Sequence, residues 1–471
     1  MNIFRTATFT IMFLMFLFRT SSTAATKDIS GLWQGSLKVQ SMELRIIFHV
    51  EKDSTGMFKA TLDSPDQGAK GIIVDKINMA HDSVSFEVTM IGGGFYGVLQ
   101  PGDSVIAGDW KQGGLSFPLS LRPIHEIAEI RRPQEPKPPF PYTSEEVSFM
   151  NTKAGVSLAG TLTKPKSGGP FPVVLLITGS GPQNRDEEIF GHKPFLVLAD
   201  YLTRMGIAVL RVDDRGVGKS TGTFRGWTTV DFAGDALAGV RYLKTRKDID
   251  KKKIGLIGHS EGGLIAPMVA NESKDVAFIV LMAGPSIPGD RLLYLQDSLI
   301  SSAMGTDAEK LHDELQLNKN LFAAVKEESD TALLHQKIWQ LMSQSMAADS
   351  ANGGKIDTNT IIATAREMTA PWFRFFLTYN PLPALKNLHC PVLALNGSKD
   401  LQVPPLEDLE GMRAAFKASG NINVKAEMLP GLNHLFQKAD TGSPLEYTKI
   451  EETIDPEALK AIGDWVAEVT K

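Results

Sequence analysis

A serine stands between two glycines in the run Gly258-His259-Ser260-Glu261-Gly262, directly after the apolar run Ile254 to Ile257 and before a helical pattern. In this context the Gly-x-Ser-x-Gly pattern predicts a sharp strand-to-helix turn that lifts the serine hydroxyl out of a sheet. Glycine at the flanking positions lets strand and helix pass closely. The helix N-terminus there would favour developing negative charge. The spacing predicts Ser260 as the nucleophile of a covalent acyl-transfer reaction.

A serine hydroxyl needs a base, and one of the nine histidines is best placed to supply it. His434 follows the apolar run Val424 to Leu429, so we expect it in a loop after the last strand. Asp400 follows the preceding strand and supplies the carboxylate that would orient the imidazole. Asp290, just after an earlier strand, is the alternative acid. The chain order of serine, aspartate and histidine is typical of a sheet with this kind of turn.

Two loops could supply the backbone N–H groups that stabilise a tetrahedral oxyanion. One donor would be the amide of Glu261, directly after the serine. The other would come from the loop Thr178-Gly179-Ser180-Gly181-Pro182-Gln183, whose glycines allow close approach of the backbone to a ligand. We expect the amide of Ser180 to be this second donor, with that of Gly181 next. Gln183 in the same loop is predicted to contact the substrate.

The elements that must position these residues are short, continuous apolar runs separated by helical patterns. The runs are Val173 to Ile177, Ile207 to Val212, Ile254 to Ile257, Val276 to Met282 and Val392 to Leu395. Strands buried on both faces have this composition, and their alternation with helices predicts an α/β fold with a doubly wound, mostly parallel sheet. We expect a hairpin from about Val147 to Thr163 to begin the sheet, within a catalytic domain spanning residues 144–471.

About a hundred residues, largely helical in pattern, separate the last two apolar runs, and a structureless loop of that length would be unusual. The interval therefore predicts an inserted helical cap at about residues 285–385. Its aromatic cluster, Pro371 to Phe376, includes Trp372 and Phe373, which are predicted to line the substrate pocket. Core packing of the cap explains these two aromatic side chains equally well.

Residues 26–125 alternate apolar and polar positions in short runs separated by turn residues. This pattern predicts a small all-β domain, an antiparallel barrel or sandwich of seven or eight strands. A ligand-binding role and a packing role are both open for it. Residues 126–143 are rich in proline and charge, which predicts a stiff extended linker.

The first 25 residues carry Arg5, an apolar stretch from about Ala7 to Phe18 and then small residues, which is typical of a secretory signal peptide. The apolar stretch is short for a membrane span of about 20 residues, so we expect cleavage rather than stable membrane insertion. An uncleaved anchor is the alternative. The mature protein would be exported, to a periplasmic or extracellular location.

Composition narrows the range of partners. The net charge is −5 and no run is rich in Lys or Arg, which argues against nucleic acid and favours a small, weakly polar substrate. Cys390 is the only cysteine, so an internal disulfide is excluded. Its position beside an apolar strand indicates a small buried hydrophobe rather than a nucleophile.

From about Val147 onward the chain resembles α/β-hydrolases of the serine aminopeptidase-like group, and its whole layout resembles exported bacterial carboxylesterases with a small β domain. The resemblance is carried by the Thr178 to Gln183 loop, the Asp214-Arg215-Gly216 loop, the Gly258 to Gly262 turn and the Asp400/His434 pair. The chain has Thr178-Gly179 where many relatives have His-Gly.

The resemblance implies the α/β-hydrolase fold and a serine carboxylic ester hydrolase that acts through an acyl-enzyme on small or medium acyl esters. It implies no metal and no organic cofactor. Two other functions remain open. A serine peptidase or aminopeptidase would use the same triad but would also need a carboxylate for the substrate amine, and a non-catalytic ligand-binding protein would keep the fold without the chemistry.

Overall fold

The computed structural model describes residues 27–39, 42–67, 69–112, 115–127, 131–348, 353 and 356–471. The predicted signal peptide, residues 1–25, therefore lies outside the described residues. The described chain contains two β-sheets, one of nine strands and one of eight. None of its helices is both long and apolar enough to cross a bilayer.

The first sheet is antiparallel and runs in the order β4-β3-β2-β1-β9-β8-β7-β6-β5. Its strands are β1 (Gly31–Val39), β2 (Met42–Lys52), β3 (Phe58–Ser64), β4 (Ala69–Ile73), β5 (Lys76–Ala80), β6 (Ser83–Val88), β7 (Gly93–Leu99), β8 (Ile106–Gln112) and β9 (Leu115–Ile124). The sheet has more strands than the seven or eight expected. The additional strands are short, since β4 and β5 have five residues each and form its edges.

This first sheet curls around its own apolar core. The rings of Phe48 in β2 and Phe86 in β6 lie 4.3 Å apart, although four strands separate β2 from β6 in the sheet order. Phe48, Phe86 and Phe95 are fully buried, and Trp110 is nearly so. Residues so far apart in a flat sheet could not stack, so the sheet is rolled into a barrel-like shape with one continuous interior.

The segment between the two sheets packs on the second one. The guanidinium of Arg132 donates to the carbonyls of Phe190 (3.0 Å) and Ile450 (2.7 Å). The side-chain oxygen of Gln134 accepts from the amides of Thr453 and Ile454. The sequence predicts a stiff extended linker here, but these hydrogen bonds hold the segment against the catalytic domain.

The second sheet runs in the order β10-β11-β13-β12-β14-β15-β16-β17. Its strands are β10 (Tyr142–Asn151), β11 (Val156–Pro165), β12 (Phe171–Ile177), β13 (Ala208–Val212), β14 (Ile249–His259), β15 (Val276–Met282), β16 (Val392–Gly397) and β17 (Val424–Leu429). The β10/β11 hairpin is antiparallel, β11 pairs antiparallel with β13, and the remaining pairs are parallel. All the parallel strands therefore end at one edge, where their loops meet.

Helices cover both faces of this sheet. On one face α2 (Thr229–Thr245), α3 (Gly262–Glu272) and α10 (Pro405–Ser419) pack over a core that includes Val173 and Leu175. On the other face α1 (Pro194–Arg204) and α11 (Pro456–Val469) pack over Val174 and Leu176. Successive side chains of β12 thus enter opposite cores, as expected for a strand buried on both sides. This is the doubly wound, mostly parallel sheet of the α/β-hydrolase fold.

Six helices lie between β15 and β16 in the described residues. They are α4 (Gly289–Ala303), α5 (Ala308–Glu327), α6 (Thr331–Ala348), α7 (Thr358–Met368), α8 (Pro371–Thr378) and α9 (Leu382–Lys386). Leu334, Ile338, Ile361 and Leu377 are buried in an apolar core built by α5 to α8, against which Leu293 of α4 packs. The insertion is thus a small helical body with a core of its own.

Candidate active site

Ser260 occupies a strained turn between β14 and α3. Its φ is +52°, an uncommon value for a residue with a Cβ, and its amide donates to the carbonyl of Met282 at 2.9 Å. A Cβ at Gly258 would lie 2.0 Å from the carbonyl oxygen of Gly262, and a Cβ at Gly262 would lie 2.2 Å from that of Ile177. Both positions therefore require glycine, and the turn raises Ser260 at the carboxyl end of the sheet.

Asp400 and His434 form a buried pair in the loops after β16 and β17. Nδ1 of His434 lies 2.9 Å from Oδ2 and 3.1 Å from Oδ1 of Asp400. The two residues are 3% and 1% exposed. Oδ1 of Asp400 also accepts hydrogen bonds from the amides of Gln402 and Val403, both at 2.9 Å. The carboxylate is thus fixed in place, with Oδ2 turned to the imidazole.

The loop that carries His434 contacts the residue next to Ser260. The carbonyl oxygen of His434 lies 3.0 Å from Nε2 of His259, and the two imidazole rings are 4.8 Å apart between centroids. Within the described residues, Ser260 Oγ and His434 Nε2 have no hydrogen bond with each other or with another protein group. Catalytic hydrogen bonds are often long without substrate and tighten in the complex.

The alternative acid, Asp290, lies elsewhere. It is in the first turn of α4, where it accepts a hydrogen bond from Lys326 Nζ at 2.6 Å. The structure thus pairs His434 with Asp400, and Asp290 with a lysine of the cap.

The loop from Thr178 to Gln183, which we name the oxyanion loop after its predicted role, lies beside Ser260. A Cβ at Gly179 would come within 3.2 Å of Ser260 Cβ, so there is little space between this residue and the serine. Asp214 anchors both ends of the loop: its Oδ1 accepts from Thr178 Oγ1 at 3.0 Å and its Oδ2 from the Gln183 amide at 2.9 Å. Thr178, which stands where many relatives have histidine, thus serves as one of the anchors.

The backbone amides predicted to bind an oxyanion are those of Glu261, Ser180 and Gly181. In the part of the chain that the structure describes, none of the three donates a hydrogen bond to a protein group. Glu261 directly precedes α3, so its amide belongs to the helix N-terminus, where N–H groups lack intrahelical acceptors. Gly181 has a φ of +91°, which glycine adopts without strain.

Two buried acids adjoin this loop and the turn. Burial raises the pKa of Asp214 to about 7 despite its hydrogen bonds from Gln183 and Thr178. Burial also raises the pKa of Glu261, against the opposing effect of hydrogen bonds from Thr229 Oγ1 (2.7 Å) and Trp372 Nε1 (2.8 Å). Both carboxyl groups are thus held in surroundings that disfavour their charged forms.

The three residues predicted to contact substrate have different surroundings. Trp372 reaches from α8 of the cap to Glu261, directly beside Ser260. Phe373 instead lies in the interior of the cap, 9% exposed and in ring contact with Phe322. Gln183 lies in the oxyanion loop, with its side-chain amide 3.4 Å from the carbonyl of Ser180. Trp372 and Gln183 border the site, whereas Phe373 packs the core of the cap.

A cavity of about 60 Å³ lies beside the oxyanion loop. Thr178, Gly179 and Gly181 line it on one side and Glu261 on another, so its wall includes residues next to Ser260. The remaining walls combine apolar side chains, such as Phe149, Val212, Phe232 and Ile265, with four charged residues, Asp213, Asp214, Arg215 and Asp235.

Glu187 and His259 also lie at this site, although neither is among the site residues predicted from the sequence. Nδ1 of His259 lies 3.0 Å from Oε1 of Glu187, and the same oxygen accepts from the amide of Gly179 at 2.6 Å. Glu187 belongs to the run Arg185 to Glu188, for which the sequence is equally compatible with a solvated salt-bridge cluster and with a role in orienting the substrate or the loop. Its neighbours pair with Asp213 and Arg211, but Glu187 itself points inward. In the sequence, only its position four residues after the end of the oxyanion loop hints at its burial there.

The described residues contain no group of three or more His, Cys, Asp or Glu side chains arranged to hold a metal ion. Cys390 is partly buried beside β16, and burial raises the pKa of its thiol to about 11. A thiol with so high a pKa is a poor nucleophile at neutral pH.

Comparison with known proteins identifies relatives of the catalytic domain. The family described as serine aminopeptidase, S33, matches residues 193–438, which include Ser260, Asp400 and His434. The chain is 28% identical over 357 residues to esterase EstD of Thermotoga maritima, covering 76% of this chain and 74% of that protein. It is 31% identical over 161 residues to human dipeptidyl peptidase 8, which covers 31% of this chain but only 17% of that protein.

Solved structures with a similar fold include two esterases. The Pyrococcus furiosus esterase Pf2001 covers 74% of this chain and 100% of its own, with a TM-score of 0.43 and 17% identity. Est1E from Butyrivibrio proteoclasticus, solved with ferulic acid, covers 69% of this chain and 97% of its own, with a TM-score of 0.39 and 20% identity. The family match spans residues 193–438, which is more than half of the chain. The chain therefore belongs to the serine aminopeptidase (S33) family of α/β-hydrolases.

Proposed function

We propose that the protein is a carboxylic ester hydrolase that works through an acyl-enzyme on Ser260. The observation that carries this proposal is the arrangement at the carboxyl end of the sheet. Ser260 is raised there on a turn with positive φ, and the Asp400/His434 pair reaches the adjoining residue, His259. A nucleophile, a base and an orienting carboxylate are the three groups that this chemistry needs.

The reaction proceeds in two steps. Ser260 Oγ attacks the ester carbonyl carbon while His434 Nε2 takes the hydroxyl proton, and the alcohol departs with that proton. A water then attacks the acyl carbon, again giving a proton to His434 Nε2, and the acid leaves as Ser260 recovers its hydrogen. Asp400 holds Nδ1 of the imidazole and stabilises the imidazolium that forms in each step.

The oxyanion of each tetrahedral intermediate would bind to the amides of Glu261 and Ser180, with that of Gly181 as the next candidate. Support comes from the contact of Gly179 with Ser260 and from the lack of competing acceptors among the described residues. Donors of this kind are each worth about 10² to 10³ in rate, since they bind charge that develops in the transition state.

The cavity beside the oxyanion loop would take the acyl chain. Its volume of about 60 Å³ has room for only a few heavy atoms, because a single water needs about 10 to 15 Å³ on the same measure. Aromatic and aliphatic side chains make up most of its wall, beside the charged Asp213, Asp214, Arg215 and Asp235, and would favour a short, largely apolar chain. We therefore expect acetyl and butyryl esters to be better substrates than octanoyl esters.

Amide hydrolysis is the competing activity, given the family's name. A peptidase of this kind needs a carboxylate free to bind the substrate amine. Glu261 directly follows Ser260, but its Oε1 already accepts from Thr229 and Trp372, and burial disfavours its charged form. The esterase among the relatives, which matches over most of both chains, also favours esters.

We also propose that residues 1–25 direct export and are removed, so that the mature protein acts in the periplasm or outside the cell. Support comes from the charged start, the short apolar stretch and the small residues that follow. N-terminal sequencing of protein recovered from the exported fraction tests this. A start near residue 26 would support cleavage, and a start at Met1 in the membrane fraction would indicate an anchor.

The proposed activity is tested with p-nitrophenyl acetate, butyrate and octanoate, and with an aminoacyl p-nitroanilide. The mature protein is compared with Ser260→Ala and with Ser302→Ala, a matched control on the exposed surface of α4. We expect ester turnover that Ser302→Ala retains and Ser260→Ala loses. Turnover of the anilide alone would identify a peptidase, and turnover of none of the four would favour a binding protein.

A further inference from the structure

A second buried acid–histidine pair lies beside the proposed triad. Glu187 is 3% exposed and His259 is 6% exposed, and 3.0 Å separates Oε1 of the glutamate from Nδ1 of the imidazole. Glu187 has a φ of +51°, a conformation uncommon for residues with a Cβ, so its surroundings hold it there. Neither residue takes part in the proton transfers described above.

Both nitrogens of His259 face atoms that can only accept hydrogen bonds. Nδ1 faces the carboxylate of Glu187, and Nε2 faces the carbonyl oxygen of His434 at 3.0 Å. An imidazole satisfies two acceptors at once only when both nitrogens carry hydrogen, so this geometry favours the cationic form. Burial alone would lower the pKa of His259, but the charge and hydrogen bond of Glu187 raise it above its ordinary value.

This pair connects the two loops on which the chemistry depends. Oε1 of Glu187 accepts from the amide of Gly179 at 2.6 Å, and Gly179 lies so near Ser260 that a Cβ on it would come within 3.2 Å of the serine Cβ. His259 holds the backbone of His434 on the other side of the same turn. A continuous chain of hydrogen bonds therefore runs from the oxyanion loop, through Glu187 and His259, to the loop of the base.

We propose that Glu187 and His259 are a positioning pair, which fixes the oxyanion loop and the His434 loop in place relative to each other and to Ser260. The inference rests on the proposed function. The pair acts through Gly179 and His434 and does not touch the reacting atoms. The pair holds the oxyanion loop and the backbone of His434 in position, as Asp400 holds the imidazole ring of His434.

The pair should affect the transition state more than substrate binding. The oxyanion gains its full charge only after Ser260 attacks, so a displaced oxyanion loop lowers kcat while leaving ground-state binding nearly intact. A displacement of about 1 Å can cost about 100-fold in rate. A residue with a folding role alone would lower the amount of active protein but not the rate of each correctly folded molecule.

The experiment measures kcat per active site in Glu187→Gln, His259→Gln and the double variant. Active sites are counted by labelling to completion with a fluorophosphonate, which separates the rate per site from the folded fraction. The control is His49→Gln, which alters a half-buried histidine that pairs with Asp63 in the barrel-like domain (2.8 Å). Each protein is assayed with p-nitrophenyl acetate.

We expect each single variant to lower kcat per labelled site by about 10- to 100-fold, with KM changed by less than about threefold. The double variant should be little worse than either single one, because both break the same chain of bonds. His49→Gln should keep its kcat. If Glu187→Gln does not fold, His259→Gln tests the same pair, because it leaves the bond from Gly179 to Glu187 in place.

A kcat per labelled site within about twofold of the parent in both single variants would overturn the inference, even if fewer sites were labelled. Additive losses in the double variant would also overturn it, because they would indicate two independent roles. Failure of the proposed function gives different results, namely no ester turnover by the parent protein or undiminished ester turnover by Ser260→Ala.

Discussion

Replacing Asp400 with asparagine should reverse the tautomer of His434 while leaving the local structure intact. The amides of Gln402 and Val403 both donate to Oδ1 of Asp400 at 2.9 Å, so the single carbonyl oxygen of an asparagine would take that position. Its NH₂ group would then face Nδ1 of His434, now 2.9 Å from Oδ2. Nδ1 would have to accept, and Nε2 would carry the hydrogen.

A histidine in that tautomer has no lone pair on Nε2 for the proton of Ser260. Loss of the correct tautomer in a serine triad lowers kcat by about 10⁴, which corresponds to about 5 kcal/mol in activation free energy. KM should change little, since Asp400 is 1% exposed and does not contact substrate in this account. The melting temperature should also fall little, because the two amide bonds to Oδ1 are retained.

The assay compares kcat for p-nitrophenyl acetate in the parent, in Asp400→Asn and in Asp290→Asn. Asp290 is the matched control, since it is the other acid that sequence analysis favours but it pairs with Lys326 in the cap. Retention of more than about a tenth of kcat in Asp400→Asn would refute the tautomer argument. So would a large loss in Asp290→Asn.

Three further predictions concern the turn, the cap and the buried acids. Gly262→Ala should abolish fluorophosphonate labelling of soluble protein, because its Cβ would lie 2.2 Å from the carbonyl oxygen of Ile177; labelling at the parent's level would contradict this. Trp372→Phe removes a hydrogen bond to buried Glu261 and should lower the free energy of unfolding in urea by about 1–3 kcal/mol, whereas Trp339→Phe on the exposed cap surface should not. Because burial raises the pKa of Asp214 to about 7, the folded protein keeps a proton that the unfolded chain releases above about pH 4, so this residue's stabilising contribution is lost as pH rises towards 7. Urea denaturation should therefore show a decrease in stability between pH 5 and pH 8 that is smaller in Asp214→Asn by about 3 kcal/mol, and equal slopes would count against the buried acid.

The turn at Ser260 could be predicted from sequence because its cause is local. Two glycines at fixed spacing after an apolar strand are enough to indicate a close crossing, and the distances at Gly258 and Gly262 give the reason. Asp400 and His434 could be selected because each follows a parallel strand, and such strands end at one edge of the sheet. The order of strands along the chain thus carries information about the site.

Glu187 and His259 could not be assigned in the same way. A glutamate in a run of four charged residues is usually solvated, and its burial here results from the packing of the oxyanion loop onto β14. His259 is inside the turn itself, where sequence gives no reason to expect two hydrogen-bond acceptors. Tertiary contacts between loops distant in the chain decide both positions.

The neighbouring aromatic residues of the cap show a related limit. Adjacent positions on a helix point about 100° apart, so Trp372 and Phe373 can meet quite different surroundings. Without the orientation of α8 the sequence does not indicate which one faces the site. The structure directs Trp372 to Glu261 and Phe373 into the core of the cap.

Acyl-enzyme formation on Ser260 is the central claim, and trapping the acyl group tests it most directly. Protein mixed with p-nitrophenyl butyrate is quenched in acid within the first turnover, and its peptides are mapped by mass spectrometry. We expect a butyryl group on the peptide containing Ser260, and none on the corresponding peptide of Ser260→Ala. A butyryl group on another residue, or undiminished ester turnover by Ser260→Ala, would contradict it.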